Sequence, residues 1–370
     1  MSASQTLDIF IAAPPGLEPV LREEAVEAGF GDAQGVPGGI TIKGDWPAVW
    51  RANLMLRGAS RVLVRVGAFP AQHLAQLDKR ARRLPWADLL ARDIPISVEA
   101  VCKGSRIYHS GAAAERVAKA ATAIAGARTG PEAPLKLLVR IQNNQCTISL
   151  DTSGDLLHKR GFKQAVGPAP LRETLAALLL RMCGYRGTEP VMDPMCGSGT
   201  FILEAADMAL GLHPGRARTF AFEKLPSFDA AAWDALKSAV PRTPPAFRLT
   251  GSDRDRGAVT MARANAARAG LTAITAFYQH TVSDLPRPDG PPGLVVVNPP
   301  YGARLGDANA LKALYAALGR TLKERFAGWR IGLITSEPAL AKATALPFRV
   351  PGPPVPHGDL RIRLYQTGPL

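Results

Sequence analysis

The chain is short of the residues from which several function classes are built. Its four cysteines, Cys102, Cys146, Cys183 and Cys196, stand far apart with no paired metal spacing. Neither a zinc site nor a disulfide framework is indicated, and a reducing, cytoplasmic setting is expected. Long apolar runs are missing too: the longest, such as residues 175–180, is stopped by Arg172 and Arg181, far short of a membrane span. The first apolar run, 7–13, contains Asp8 and has no basic residue before it, which is wrong for a signal peptide. Acidic residues are also in deficit, 31 against 45 Lys and Arg, and the resulting net charge of +14 favours a polyanionic partner. No internal repeat is visible. At 370 residues the chain exceeds the usual size of one domain, so two or three domains are expected.

Within those bounds the amino-terminal half reads as mixed α+β. A strand at 7–13 is followed by a helix at 19–28 that Gly29 ends, a strand at 38–44 and a helix from 45 with Asp45 as N-cap. Residues 60–67 alternate Val62, Val64 and Val66 against Arg61, Leu63 and Arg65, the pattern of a half-buried strand. Helical segments at 74–84 and 86–92, a strand at 96–102 and an Ala-rich helix at 112–126 come next. Strands at 135–142 and 145–151 flank Asn143-Asn144, a hairpin turn. Gly and Pro then punctuate 151–170, and the domain boundary is placed there. From Leu171 onward helices alternate with very apolar strands, the mark of a parallel sheet covered on both faces. The expected elements are a helix at 171–183, a strand ending at Asp193, and a helix at 201–210. A Pro- and charge-rich insertion at 212–245 holds a helix at 230–239. Strands at 247–252, 274–279, 294–297 and 330–335 and helices at 257–269 and 308–326 complete the sheet. An antiparallel pair, 348–350 with 360–366, closes it, and the Pro-rich 351–356 reads as a turn.

Two stretches carry chemistry. In Asp193-Pro194-Met195-Cys196-Gly197-Ser198-Gly199-Thr200 a strand gives way to a Gly-rich turn and a helix start. Gly197 and Gly199 let the backbone turn sharply and approach a ligand closely, with helix N–H groups facing it. The second, Leu294-Val295-Val296-Val297-Asn298-Pro299-Pro300-Tyr301-Gly302, is a buried strand that ends in an amide, two prolines and an aromatic.

Together these stretches resemble the signature of class I S-adenosylmethionine-dependent methyltransferases that act on exocyclic amino groups. Lys103-Gly104-Ser105-Arg106-Ile107-Tyr108-His109, the run from Asp151 to Gly161, and Ala169-Pro170-Leu171-Arg172-Glu173-Thr174-Leu175-Ala176 narrow the match. They are similar to the THUMP-containing RNA guanine-N2 methyltransferases, above all the bacterial enzymes of large-subunit ribosomal RNA. That resemblance covers nearly the whole chain in motif order. It implies a ferredoxin-like part (1–55), a THUMP domain (56–155), a connector (156–170) and a Rossmann-like catalytic domain (171–370) whose last strand is antiparallel. Some relatives carry a second methyltransferase domain, which this sequence lacks.

The resemblance also implies roles. Asp193, Pro194, Cys196, Gly197, Ser198, Gly199 and Thr200 would receive the methionine end of S-adenosylmethionine, with Asp193 near its ammonium and Glu173 and Thr174 beside it. Asp253, at the end of the next strand, suits the ribose hydroxyls, since one carboxylate can accept from both; Asp255 ranks below it as a helix cap. Relatives place an acidic residue near the adenine where this chain has Gln279-His280-Thr281-Val282-Ser283-Asp284, so either Asp284 or a neutral group makes that contact. Asn298, Pro299, Pro300 and Tyr301 would carry the reaction: two acceptors draw the flat guanine amino group toward a tetrahedral shape, and the tyrosine stacks on the extruded base. No metal is called for. RNA contacts are expected from Lys79, Arg80 and their neighbours Arg82 and Arg83, from Lys103, Arg106, His109 and Arg116, and from Arg160 and Lys163 in the connector. Transfer RNA, DNA adenine and protein glutamine stay open as alternative substrates, and an RNA-binding assembly factor as a non-enzymatic one.

Overall fold

In the computed structural model, which describes residues 6–164, 171–238, 243–302 and 308–370, the chain divides into two compact units. One comprises Met1–Ala13, Leu21–Leu157 and Arg218–Ser238; the other comprises Pro14–Val20, His158–Ala217 and Ala239–Leu370.

The first unit is built on seven strands: β1 (Leu7–Ala12), β2 (Gln34–Val36), β3 (Gly39–Gly44), β4 (Arg61–Pro70), β5 (Ile96–Lys103), β6 (Leu135–Gln142) and β7 (Gln145–Asp151). They form one sheet in the order β2-β3-β1-β4-β7-β6-β5, so the segments expected to be ferredoxin-like and THUMP share a continuous sheet through the β4–β7 ladder. Alternation sets its faces: Leu135, Leu137, Val139 and Ile141 are buried while Lys136 and Arg140 point outward. Asn143 and Asn144 both take left-handed backbone angles (φ 51° and 63°), as a two-residue turn between β6 and β7 requires. Helices α1 (Glu18–Glu27), α2 (Trp46–Met55), α3 (Leu74–Ala81), α4 (Trp86–Leu89) and α5 (Ser110–Ala125) accompany these strands along the chain. Part of the insertion at 212–245 belongs here as well. Phe220 and Phe222 stack at 5.1 Å, Trp233 of α8 (Ala230–Lys237) meets Phe222 edge-on at 5.0 Å, and Trp50 of α2 lies 6.1 Å from Phe222. Burying those rings holds the segment against the first unit.

The second unit carries α6 (Glu173–Met182), α7 (Thr200–Ala209), α9 (Arg256–Ala269), α10 (Ala308–Arg325) and α11 (Pro338–Ala343). Its strands are β8 (Val191–Asp193), β9 (Leu249–Asp253), β10 (Thr275–Gln279), β11 (Leu294–Val297), β12 (Arg330–Thr335), β13 (Val355–His357) and β14 (Leu360–Gln366), in the order β10-β9-β8-β11-β12-β14-β13. Strands β8 to β12 are mutually parallel and β14 runs antiparallel to β12. All four residues of β11 are buried, and α10 packs Tyr315, Leu318 and Leu322 into one core with Val295, Val297 and Leu333. The closing pair differs from expectation. Its short strand is β13, not 348–350, although Arg349 N still donates to Gln366 O at 2.8 Å. Gly352 N likewise donates to Leu364 O at 2.9 Å, but Pro351, Pro353 and Pro354 have no N–H to give, so no regular strand forms before β13.

From β8 the chain moves outward through β9 to β10, then crosses back to β11 on the other side of β8. The carboxyl ends of β8 and β11 therefore flank the point where strand order reverses, the place in an open α/β sheet where ligands collect.

Candidate active site

At the end of β8, Asp193 is 2 % exposed and its Oδ1 accepts from Met195 N at 3.0 Å. Burial, and to a smaller degree the neighbouring Asp253 charge, push its carboxyl up to about 8 against that hydrogen bond. Among the described residues it has no ion pair. Beyond it the Gly-rich turn is tied down on every side. Cys196 N donates to Ser252 O (2.8 Å), Gly199 N to Cys196 O (2.8 Å) and Gly197 N to Asp253 Oδ2 (3.0 Å), while Asn265 Nδ2 on α9 donates to Ser198 O (3.0 Å). The amides of both glycines thus already have protein partners, and what the turn offers a ligand is shape. At Gly197 (φ 52°) a Cβ would meet nothing within 4 Å, so its backbone faces open space. At Gly199 (φ 87°) a Cβ would press on Ala262 and Phe277 at 3.2 Å; that glycine serves packing. Cys196 is buried, which raises its thiol well above the usual range and leaves it inert.

Asp253 ends β9 and also accepts from Asp255 N at 2.9 Å; each carboxylate oxygen keeps a further lone pair for a hydroxyl. Asp255 caps α9 through Gly257 N at 2.8 Å. Asp284 is exposed and accepts from Thr281 Oγ1 at 2.7 Å, within its own turn. Glu173 and Thr174 are buried in the first turn of α6.

On the neighbouring strand, Asn298 follows β11 directly. Its side-chain Oδ1 is buried and has no hydrogen-bond partner among the described residues. Such an acceptor costs about 1–3 kcal/mol unless something donates to it. The loop behind it is braced from afar: Tyr315 OH on α10 donates to Pro300 O at 3.2 Å, and Gly302 N donates to Glu337 Oε1 at 2.8 Å. Pro299 is buried. Tyr301 is half-buried against the α10 core, and burial lifts its phenol to about 12, so it stays neutral. Register pairs Val295 with Met192 and Met192 with Thr250, so Asp193, Asp253 and Asn298 leave the same edge of the sheet on three adjacent strands.

Two expected RNA contacts are corrected by burial. Arg160 is 2 % exposed and bonds Glu204 of α7 twice, at 3.0 and 3.3 Å. Lys163 is also enclosed: its Nζ donates to Thr200 Oγ1 (2.8 Å) and Leu171 O (3.2 Å) and pairs with Glu173 (3.1 Å). Both cations spend their charge inside the second unit, where they pin α6 and α7. Lys79, Lys103, Arg106 and His109 are exposed in the first unit. Arg80 is partly covered and donates to Pro70 O at 2.7 Å. Arg106 reaches Gln72 Oε1 at 2.9 Å, and His109 Nδ1 accepts from Ala112 N to cap α5. Among them stands Tyr108, 84 % exposed, a residue that charge-based reading passes over. Glu337, Tyr315 and Asn265 were likewise beyond sequence reading, because their partners lie 15 to 67 residues away.

A model of the family described as "RMKL-like, methyltransferase domain" matches residues 160–349. The chain belongs to that family. The model of a second domain, described as "RlmL ferredoxin-like domain", matches residues 8–63. Among curated relatives, "Ribosomal RNA large subunit methyltransferase K/L" of Syntrophotalea carbinolica is 36 % identical over 357 residues, covering 91 % of this chain and 50 % of that protein. The chain thus spans about half the length of the relative it matches. Of solved structures, SMU.472, a methyltransferase by its description and complexed with SAH, superposes with a TM-score of 0.89 at 27 % identity over 100 % of this chain and 99 % of that one. A predicted N6-adenine-specific DNA methylase from Listeria monocytogenes gives 0.87 at 31 % identity, over 99 % and 97 %. The second unit is accordingly a class I methyltransferase fold, with β14 antiparallel to β12. Among the described residues no helix is long and apolar enough to cross a membrane, and no cluster of His, Cys, Asp or Glu could hold a metal.

Proposed function

We propose that this RMKL-like methyltransferase uses S-adenosylmethionine to methylate the exocyclic N2 of a guanine in large-subunit ribosomal RNA. The observation that carries the reading is the orphaned Asn298 Oδ1, a buried acceptor at the strand-order reversal that awaits an N–H donor. The residues present fit the cofactor: Gly197 borders open space, Asp193 is a buried carboxyl without an ion pair among the described residues, and Asp253 keeps lone pairs for ribose hydroxyls. S-adenosylmethionine, when bound, supplies an electrophilic methyl group. Asp193 would hold its ammonium, and the backbone of Pro194 to Thr200 would enclose the methionine end with Glu173 and Thr174 behind it. Asp284 accepts from Thr281 through one oxygen only, so the adenine contact falls either to its other oxygen or to a neutral group near Gln279 and His280.

Asn298 Oδ1 and the Pro299 carbonyl accept the two amino hydrogens of guanine, which localises the nitrogen lone pair and aims it. The nitrogen gains a methyl group and releases one proton to water, so no strong base is needed. Pro299 and Pro300 hold the backbone rigid, and the neutral Tyr301 ring stacks on the base once it is drawn from the RNA. The first unit, as a THUMP-type RNA module, would grip the RNA through Lys79, Arg80, Lys103, Arg106, His109 and Tyr108. The relative's ribosomal RNA name supports the RNA substrate; DNA adenine is the alternative that the Listeria protein's description raises. Asn298→Ala tests the assignment: cofactor binding by calorimetry is retained, while methyl transfer to unmodified large-subunit RNA falls by about a hundredfold to a thousandfold. Wild-type turnover in that variant overturns it.

A further inference from the structure

The last two strands carry the chain past the edge of the sheet from which Asn298 emerges. Strand β14 pairs with β12 as far as Arg363, which stands opposite Thr335, the last residue of β12. Residues 360–362 run on beyond that end and pair with β13 instead, Leu360 with His357 and Ile362 with Val355. Gly358-Asp359 closes the hairpin, and Gly358 takes the left-handed angle (φ 59°) that a two-residue turn with glycine first requires. The hairpin therefore overhangs the carboxyl edge of the parallel strands. Asn298 leaves the same edge, since Val297 pairs with Leu333, two residues before Thr335. Alternation sends Leu360, Ile362 and Leu364 to one face of β14. Ile362 and Leu364 are buried in the core, whereas Leu360, beyond it, is 41 % exposed. At Gly302 (φ 89°) a Cβ would lie 3.5 Å from Leu360 Cδ1, so this side chain reaches the loop that holds Asn298, directly after Tyr301. Glu337 Oε1 accepts from the amide of the same glycine at 2.8 Å, which fixes the point where loop and hairpin meet. His357, opposite Leu360, shares its face. Burial, and then the charge of Arg172, hold its imidazole below the ordinary value, so the ring is largely neutral at pH 7.

We infer that Leu360 is a wall of the target-base pocket, packing against the guanine drawn to Asn298 and so holding its amino group in line with the methyl donor. The face that the hairpin turns to the loop offers an apolar side chain and an uncharged ring, which suits a flat, neutral base and not a phosphate. Hydrogen bonds at Asn298 fix one edge of that base and stacking on Tyr301 fixes one face. An apolar contact from a separate element takes up the remaining freedom to slide, and near-attack geometry is sensitive to displacements of about 1 Å. Covering Leu360 with a base also removes apolar surface from water that the free protein leaves exposed.

The inference rests on the proposed RNA substrate, and its test separates the two. Single-turnover methyl transfer to unmodified large-subunit RNA, RNA affinity and cofactor affinity are measured for wild type, Leu360→Ala, Leu360→Met and Val350→Ala. Val350 serves as the control: it is 93 % exposed but lies beside the other end of β14, where Arg349 N bonds Gln366 O. Leu360→Ala should slow transfer by about tenfold to a hundredfold with both affinities unchanged, because an apolar contact to the base is lost while the phosphate contacts that dominate RNA affinity remain. Leu360→Met should keep most of the wild-type rate, and Val350→Ala all of it. The contact itself is read by crosslinking. RNA transcribed with 6-thioguanosine, bound in the presence of S-adenosylhomocysteine and irradiated, should label the tryptic peptide 350–361 on or next to Leu360. Two results overturn the inference and leave the substrate reading intact. One is wild-type transfer by Leu360→Ala; the other is slowed transfer with no crosslink at the hairpin tip, which would make Leu360 a brace for the loop only. Wild-type protein that methylates no RNA sinks the substrate reading and the pocket wall with it. If Leu360→Ala unfolds, the crosslink to wild type decides.

Discussion

In the proposed reaction two side chains matter most at the scale of single residues, and they differ in what they lack among the described residues. Asn298 lacks a donor, and its loss should remove rate and spare binding, as argued above. Asp193 has no cation beside it among the described residues. Because burial raises its carboxyl to about 8, the ligand-free protein holds a proton there that the unfolded chain gives up near pH 4. This group therefore costs stability progressively as pH rises from about 4 to 8, and a bound ammonium that favours the carboxylate removes the cost. Calorimetry in buffers of different ionisation enthalpy should show about one proton released per cofactor bound at pH 7, with affinity rising by at most about tenfold per pH unit up to pH 8. Binding without proton release would mean that Asp193 is not the ammonium's partner. Tyr108 offers a different test, since stacking and charge respond differently to salt. Tyr108→Ala should weaken RNA binding by about 1–3 kcal/mol at every salt concentration, whereas Lys103→Ala should chiefly flatten the salt slope by about one unit. Parallel losses from both would remove the stacking role.

Among the elements, α7 bears the most. Every one of its ten residues is buried, including Glu204 and Asp207, and those charges are tolerable only because Arg160 and Arg216 meet them. Glu204→Leu alone should strand Arg160 and cost about 3–5 kcal/mol in denaturant unfolding, while Arg160→Met/Glu204→Leu should recover most of that loss. A double variant as unstable as the single one would show that residues 158–163 are held to α7 by something other than this pair. The sequence carried α7 and its Gly-rich turn plainly, because local spacing and glycine backbone angles determine them. It misplaced Arg160 and Lys163, because whether a basic side chain meets solvent or a buried Glu depends on partners 10 and 44 residues away. The closing strand pair failed for a local reason that could have been weighed: three prolines between 351 and 354 leave a ladder short of donors. The insertion at 212–245 read as Pro- and charge-rich around one helix, and its aromatic residues Phe220, Phe222, Phe228 and Trp233 were the overlooked sign that part of it has a core to join.

For the molecule as a whole, a net charge of +14 supports the proposed polyanionic substrate. The parallel character of the second sheet and the order of its motifs were legible in the sequence, since alternating apolar strands and helices leave few topologies open; the order of its strands was not. Nor was the choice of base, because an amide and a proline carbonyl suit guanine N2 and adenine N6 alike. The decisive measurement is therefore the product. Purified protein incubated with methyl-labelled S-adenosylmethionine and unmodified large-subunit ribosomal RNA, followed by nucleoside digestion and mass spectrometry, should place the label on N2-methylguanosine. Label on N6-methyladenosine, or on DNA offered in parallel and not on RNA, would contradict the assignment.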